Sequence, residues 1–174
     1  MTIVINLFGA PGSGKSTLSA GLFYQMKMKK LKVEWSQEWI KDKVFEETPY
    51  PFKDQLYTFA KQNKKIRQMI GKADYVICDS PLVQGLIYAD NEPKIFKDLV
   101  LEYFNSYQNV NFLLERIHSY EQQGRLQTEQ ESDDMAILIE KKLTELNVPY
   151  IKLQSTNSLN RMLEVLETLN EQRD

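Results

Sequence analysis

Apolar and polar positions along this chain change rhythm repeatedly, and each change marks an element. Ile3-Val4-Ile5-Asn6-Leu7-Phe8 is a nearly continuous apolar run, as a parallel strand covered on both faces requires. A helical stripe follows from about Lys15, with Leu18, Leu22 and Met26 on one side. Lys32–Gln37 predicts a second strand, and Lys53–Ile70 a helix with Leu56, Phe59, Ala60, Ile66 and Ile70 on one side. Tyr75-Val76-Ile77-Cys78 predicts a third strand, stopped by Asp79-Ser80-Pro81. A helix over Lys94–Tyr107 leads to a fourth strand at Val110–Leu114. Asp133–Leu146 reads as a helix with Ala136, Ile139, Leu143 and Leu146 inward, followed by a fifth strand at Tyr150–Leu153 and a closing helix at Leu159–Leu169. Strands separated by helices imply α/β architecture: a five-stranded parallel sheet with right-handed crossovers and helices on both faces. With no repeat, low-complexity tract or linker, residues 1–174 read as one domain, with a small polar lid at about 117–132.

Composition narrows the partners. The chain has 174 residues, 42% hydrophobic and 26% charged, which suits a folded globular domain rather than a disordered one. A formal net charge of −2 provides no global basic field, so nucleic-acid contact would need a local patch. Lysines do cluster in Lys27–Lys32 and in Lys61–Lys65 with Arg67, where a solvated helix face is the better reading. The single cysteine, Cys78, rules out an internal disulfide and sits in an apolar run as a small core residue. Neither a signal peptide nor a membrane-spanning run is evident, and the expected location is the cytoplasm.

The chemistry concentrates at one turn. Gly9-Ala10-Pro11-Gly12-Ser13-Gly14-Lys15-Ser16 fits G-x-x-x-x-G-K-[ST] between a predicted strand and a predicted helix. Glycines permit torsions that let successive backbone N–H groups converge on phosphate oxygens, and the helix adds the positive end of its dipole. Lys15 can then reach the β- and γ-phosphates, Ser16 can offer its hydroxyl to Mg²⁺, and Thr17 can help hold the α-phosphate. The expected donor is a nucleoside triphosphate.

Further candidates lie at the carboxyl ends of the predicted strands, where open α/β sheets bind ligands. Asp79 can hold Mg²⁺ or accept the proton of an attacking hydroxyl, or simply cap its turn. Glu38, after the second strand, is a candidate general base or an ordinary surface carboxylate. Arg116 after the fourth strand and Arg125 in the lid can stabilise charge on a transferring phosphoryl group, or serve as surface charges. Trp35, Trp39, Phe45, Tyr50, Phe52, Tyr57 and Phe59 crowd one segment, as an acceptor pocket or as core. His118 reads as an exposed lid residue.

Taken together, Gly9–Thr17, Gln37-Glu38-Trp39-Ile40-Lys41-Asp42, Cys78-Asp79-Ser80-Pro81-Leu82, and Arg116 with Tyr120 and Gly124-Arg125 resemble small phage-type P-loop proteins. Similar proteins are the kinase domain that phosphorylates nicotinamide riboside and the bacteriophage 5-hydroxymethyluracil DNA kinases, over Ile3 to about Leu153. The resemblance implies a kinase-type P-loop fold, ATP as donor, and a nucleoside-like hydroxyl as acceptor, foremost 5-hydroxymethyluracil in DNA. By the same likeness Lys15, Ser16 and Asp79 serve the donor and Mg²⁺, and Arg125 is a lid arginine; a phage-encoded protein would act in the host cytoplasm. The competing expectations are a P-loop ATPase working as a switch and a nucleotide-binding module without turnover.

Overall fold

The computed structural model describes residues 1–39, 54–89, 91–121, 127–154 and 156–171. Strand β1 (Ile3–Phe8) runs through the middle, and all six of its residues are buried. It lies between β3 (Tyr75–Cys78) and β4 (Gln108–Leu114), with β2 (Val33–Ser36) and β5 (Ile151–Leu153) at the edges. The order is β2-β3-β1-β4-β5 and every pairing is parallel. The expected five-stranded parallel sheet is present.

Successive side chains of a strand point to opposite faces, so β1 feeds two apolar layers. Val4 and Phe8 pack with Phe59, Val100, Leu113 and Ile139, in a layer built by α2 (Gln55–Arg67), α3 (Lys94–Asn105) and α4 (Glu129–Glu145). Ile3, Ile5 and Leu7 pack with Leu22, Met26, Phe112 and Met162, under α1 (Lys15–Met28) and α5 (Ser158–Glu171). Burying one such side chain completely stabilises the fold by roughly 1.5–3 kcal/mol. The two-layer cover explains why β1 can be apolar on both sides. No helix among the described residues is long and apolar enough to cross a membrane.

One residue breaks that apolar run. Asn6 is buried, and its Nδ2 donates to Asn109 Oδ1 and to Asn111 Oδ1, both at 2.9 Å. Asn111 Nδ2 in turn donates to Pro149 O at 2.9 Å, and Asn109 Nδ2 to Phe104 O at 2.6 Å. A buried amide is tolerable when its hydrogen bonds are met inside the protein, as these are.

Two helices sit differently from the periodicity. In α2 the buried stripe is Gln55, Phe59, Gln62, Asn63 and Ile66, while Leu56 and Ala60 are exposed. The rotation follows from polar partners: Gln62 Nε2 donates to Ser36 Oγ at 3.1 Å, and Tyr107 Oη donates to Asn63 Oδ1 at 2.6 Å. In α4 Ala136 is exposed, and Ser132, Ile139 and Leu143 form the buried stripe. That helix also starts at Glu129, four residues before the predicted Asp133. Its start is set by a capping box, in which Thr128 Oγ1 accepts from Glu131 N–H and Glu131 Oε2 accepts from Thr128 N–H. After Pro81 a 3-10 helix, Leu82–Tyr88, covers a stretch for which no element was predicted, burying Leu82, Val83 and Leu86.

Candidate active site

The phosphate loop grows directly from the buried end of β1. Gly9 has φ +154°, and a Cβ there would press on Ser13 Oγ at 2.5 Å and Leu114 O at 3.0 Å, so any other residue would be strained. Gly14 caps α1 in the left-handed region, at φ 88° and ψ 11°. No side chain caps the amino end of α1 and no acidic residue lies in its first turn, which leaves its positive pole to an anion. Lys15 folds back on the loop, its Nζ donating to Gly9 O at 2.6 Å and Ala10 O at 3.0 Å. Ser13 Oγ is buried without a partner among the described residues. Ser16 is half-buried in the first turn of α1 and Thr17 is exposed.

Asp79 follows β3 immediately, and the pairing of Asn6 with Cys78 brings it to the edge where the loop begins. It is 3% exposed. Burial pushes its carboxyl up to about 6, the nearby Glu38 charge pushes the same way, and Lys15 opposes both, as do the backbone N–H groups of Glu38 and Asp79 itself. Its Oδ1 has no partner among the described residues. Glu38 comes two residues after β2, whose Ser36 pairs with Cys78. The structure therefore brings Lys15 and Glu38 each within electrostatic reach of Asp79. Cys78 beside them is inert as a nucleophile, its thiol pushed up to about 12, chiefly by burial.

The arginines fare differently. Arg116 leaves β4 and meets α4: its Nη2 donates to Asp133 Oδ1, its Nη1 lies 3.0 Å from Glu129 Oε1, and the guanidinium stacks 5.1 Å from the Tyr120 ring centroid. Arg125 lies outside the described residues. The aromatic group also divides. Phe59 is core, edge-on to Phe96; Trp35 packs against the other layer beside Phe23. Trp39 and Tyr57 meet edge-on at 5.3 Å, while Phe45, Tyr50 and Phe52 lie outside the described residues. His118 is exposed.

Two loop contacts have no counterpart in the sequence reading. Gln84 Nε2, from the 3-10 helix, donates to Gly9 O at 3.3 Å, and Ser132 Oγ, from α4, donates to Pro11 O at 2.6 Å. The capping box signature at Thr128–Glu131 could have placed Ser132 in the first turn of α4. Gln84 carried no periodic signal at all.

The residues fit a phosphate chain and a Mg²⁺ ion. The fit rests on an uncapped helix amino end, a lysine at the loop and a buried carboxylate oxygen without a partner. Mg²⁺ usually takes one or two carboxylates with phosphate and water oxygens, and Asp79 and Ser16 are the residues that would offer it oxygens. Among the described residues there is no cluster of three His, Cys, Asp or Glu of the kind a transition metal would need.

Residues 4–161 match the AAA domain family. No curated protein matches the sequence. Among solved structures, a NadR protein in complex with NR is similar over 96% of this chain, with a TM-score of 0.68 and 13% identity. This chain spans only 49% of that one. The deoxyadenosine kinase from M. mycoides, with the products dCMP and dCDP bound, is similar over 95% of this chain and 99% of its own, at a TM-score of 0.55 and 15% identity. At these identities the likeness is one of fold, the P-loop fold shared with these proteins.

Proposed function

The chain belongs to the AAA domain family, and from that premise we propose that it is an ATP-dependent kinase acting on a nucleoside-like hydroxyl. The observation that carries the reading is the buried Asp79 carboxylate with an unpartnered oxygen, set beside Lys15 at the mouth of the loop. The neighbours hold NR, dCMP and dCDP, and their likeness in fold supports an acceptor of that size and kind. 5-Hydroxymethyluracil within DNA is the finer reading that the sequence resemblance supports.

In the proposed reaction the loop amides and the amino end of α1 bind the polyphosphate, and Lys15 turns from its loop carbonyls to the β- and γ-oxygens. Ser16 and Asp79 would hold Mg²⁺, which when bound neutralises phosphate charge and orients the transferring group. The acceptor oxygen forms a bond to the γ-phosphorus while the bond from that phosphorus to the β-bridging oxygen breaks, leaving ADP. The hydroxyl proton passes to a carboxylate, Glu38 or Asp79. Arg116 can join the charge stabilisation by exchanging one of its two carboxylates for a phosphoryl oxygen, and Arg125 serves from the lid.

The test is transfer of label from γ-labelled ATP to a panel of nucleosides, nucleotides, nicotinamide riboside and hydroxymethyluracil-containing DNA. Label in one acceptor, lost in Lys15→Ala, is the expected result. Full transfer by Lys15→Ala would overturn the role of the loop. Release of free phosphate alone would point to a switch ATPase instead.

A further inference from the structure

Lys15 is bound to the loop that it must leave. Its ammonium donates to Gly9 O and Ala10 O, and transfer to a phosphate withdraws both hydrogen bonds. A buried carbonyl left without a donor costs about 1–3 kcal/mol, and that cost would oppose nucleotide binding. The surroundings of the loop remove it. Ala10 O also accepts from Ser13 N–H at 3.1 Å, and Pro11 O accepts from Ser132 Oγ at 2.6 Å. Gly9 O has one other donor among the described residues, Gln84 Nε2 at 3.3 Å. Every loop carbonyl from Gly9 to Pro11 thus keeps a donor when the lysine departs.

Gln84 is placed for this and not for packing. Its amide cannot be turned round, because Oε1 would then face the Gly9 oxygen, acceptor against acceptor. Held this way, Oε1 is buried and has no partner among the described residues. A Leu or Met would fill the same space without leaving an orphan acceptor, which costs stability. The contact with Gly9 is what the amide provides.

Resting on the reading that the loop binds a nucleoside triphosphate, we propose that Gln84 is a positioning residue. It holds the Gly9 carbonyl while Lys15 transfers to the phosphates, so that the exchange leaves no loop carbonyl bare. Two substitutions separate this role from packing. Gln84→Met keeps length and stem but deletes the donor. Gln84→Glu keeps the shape but puts a charged oxygen against the Gly9 carbonyl where the donor stood.

The experiment is calorimetric titration of Mg-ATP into the wild type and both variants, with the melting temperature of each unliganded protein. The expected result is a dissociation constant about three- to tenfold weaker for Gln84→Met, as one lost hydrogen bond implies. Gln84→Glu should bind more weakly still, because it lacks the donor, faces the Gly9 oxygen with another acceptor and adds an anion at the loop that receives the phosphates. Wild-type affinity in both variants overturns the proposal while leaving the loop reading intact. Equal weakening in both, tracking an equal loss of melting temperature, also overturns it, in favour of packing. Absence of Mg-ATP uptake by the wild type overturns the loop reading and this proposal together.

Discussion

Asp79 is kept in a place where its charge is costly without a cation. Its folded-state carboxyl titrates at about 6, above its ordinary 3.8, so between those values the folded protein binds a proton that the unfolded chain has released. The stability tied to that proton is complete below about pH 4 and is lost as pH rises through 6. By about pH 7 the ionised group costs roughly 2–3 kcal/mol in the unliganded state. Asp79→Asn should therefore melt roughly 4–10 °C higher than the wild type at pH 7.5, with the difference vanishing near pH 4, as calorimetric scans at the two pH values would show. The same variant should lose phosphoryl transfer at least a hundredfold, and wild-type kcat/KM should fall on the acid side of about pH 6. A variant no more stable at pH 7.5 would refute the burial cost. At this scale the sequence was legible where residue type and place coincide, as with Lys15 and Asp79 at the loop edge. It was not legible for Gln84, or for the pairing of Arg116 with Glu129 and Asp133, because side-chain partners distant along the chain leave no local trace.

Helix α4 is the element that links the phosphate loop to Arg116 beyond the end of β4. The capping box of Thr128 and Glu131 starts the helix, which then presents Ser132 to Pro11 and Glu129 and Asp133 to Arg116. Thr128→Ala removes one half of the box and should destabilise by about 1 kcal/mol, lowering the melting temperature by roughly 2–4 °C. Because Ser132 depends on the same turn, Mg-ATP affinity should weaken with it; an unchanged affinity beside a lowered melting temperature would mean that the turn serves stability alone. The signature Thr-x-x-Glu is plain in the sequence, and the apolar stripe drew the predicted start four residues too late. In α2 the error ran the other way: Gln62 and Asn63 look like surface residues until their partners, Ser36 and Tyr107, are in place. Burial of a satisfied amide cannot be read from hydropathy. The 3-10 helix Leu82–Tyr88 was missed because so short an element shows no sustained period.

At the scale of the molecule, ligand binding and folding share one free energy. Mg-ATP at a hundred times its dissociation constant should add about 2.7 kcal/mol to stability, seen as a rise of roughly 5–10 °C in melting temperature. Lys15→Ala should lose most of that rise while melting normally without ligand; an undiminished rise would show that the lysine does not meet the phosphates. The alternation of strands and helices was legible along the whole chain, but periodicity does not say which strands are neighbours, and the placing of β1 between β3 and β4 emerged only in three dimensions. That placing gives the linked asparagines, Asn6 and Asn111 buried and Asn109 half-buried, a consequence for assembly. A strand as oily on both faces as β1 gains nearly the same from a neighbour however far one slides along the other, so hydrophobic burial alone is a poor judge of alignment. Asn6 meets Asn109 and Asn111 at one setting; any other setting strands amides in oil at about 1–3 kcal/mol apiece. The trio acts as a checksum on the central pair of strands, rejecting misaligned sheets that grease by itself would accept.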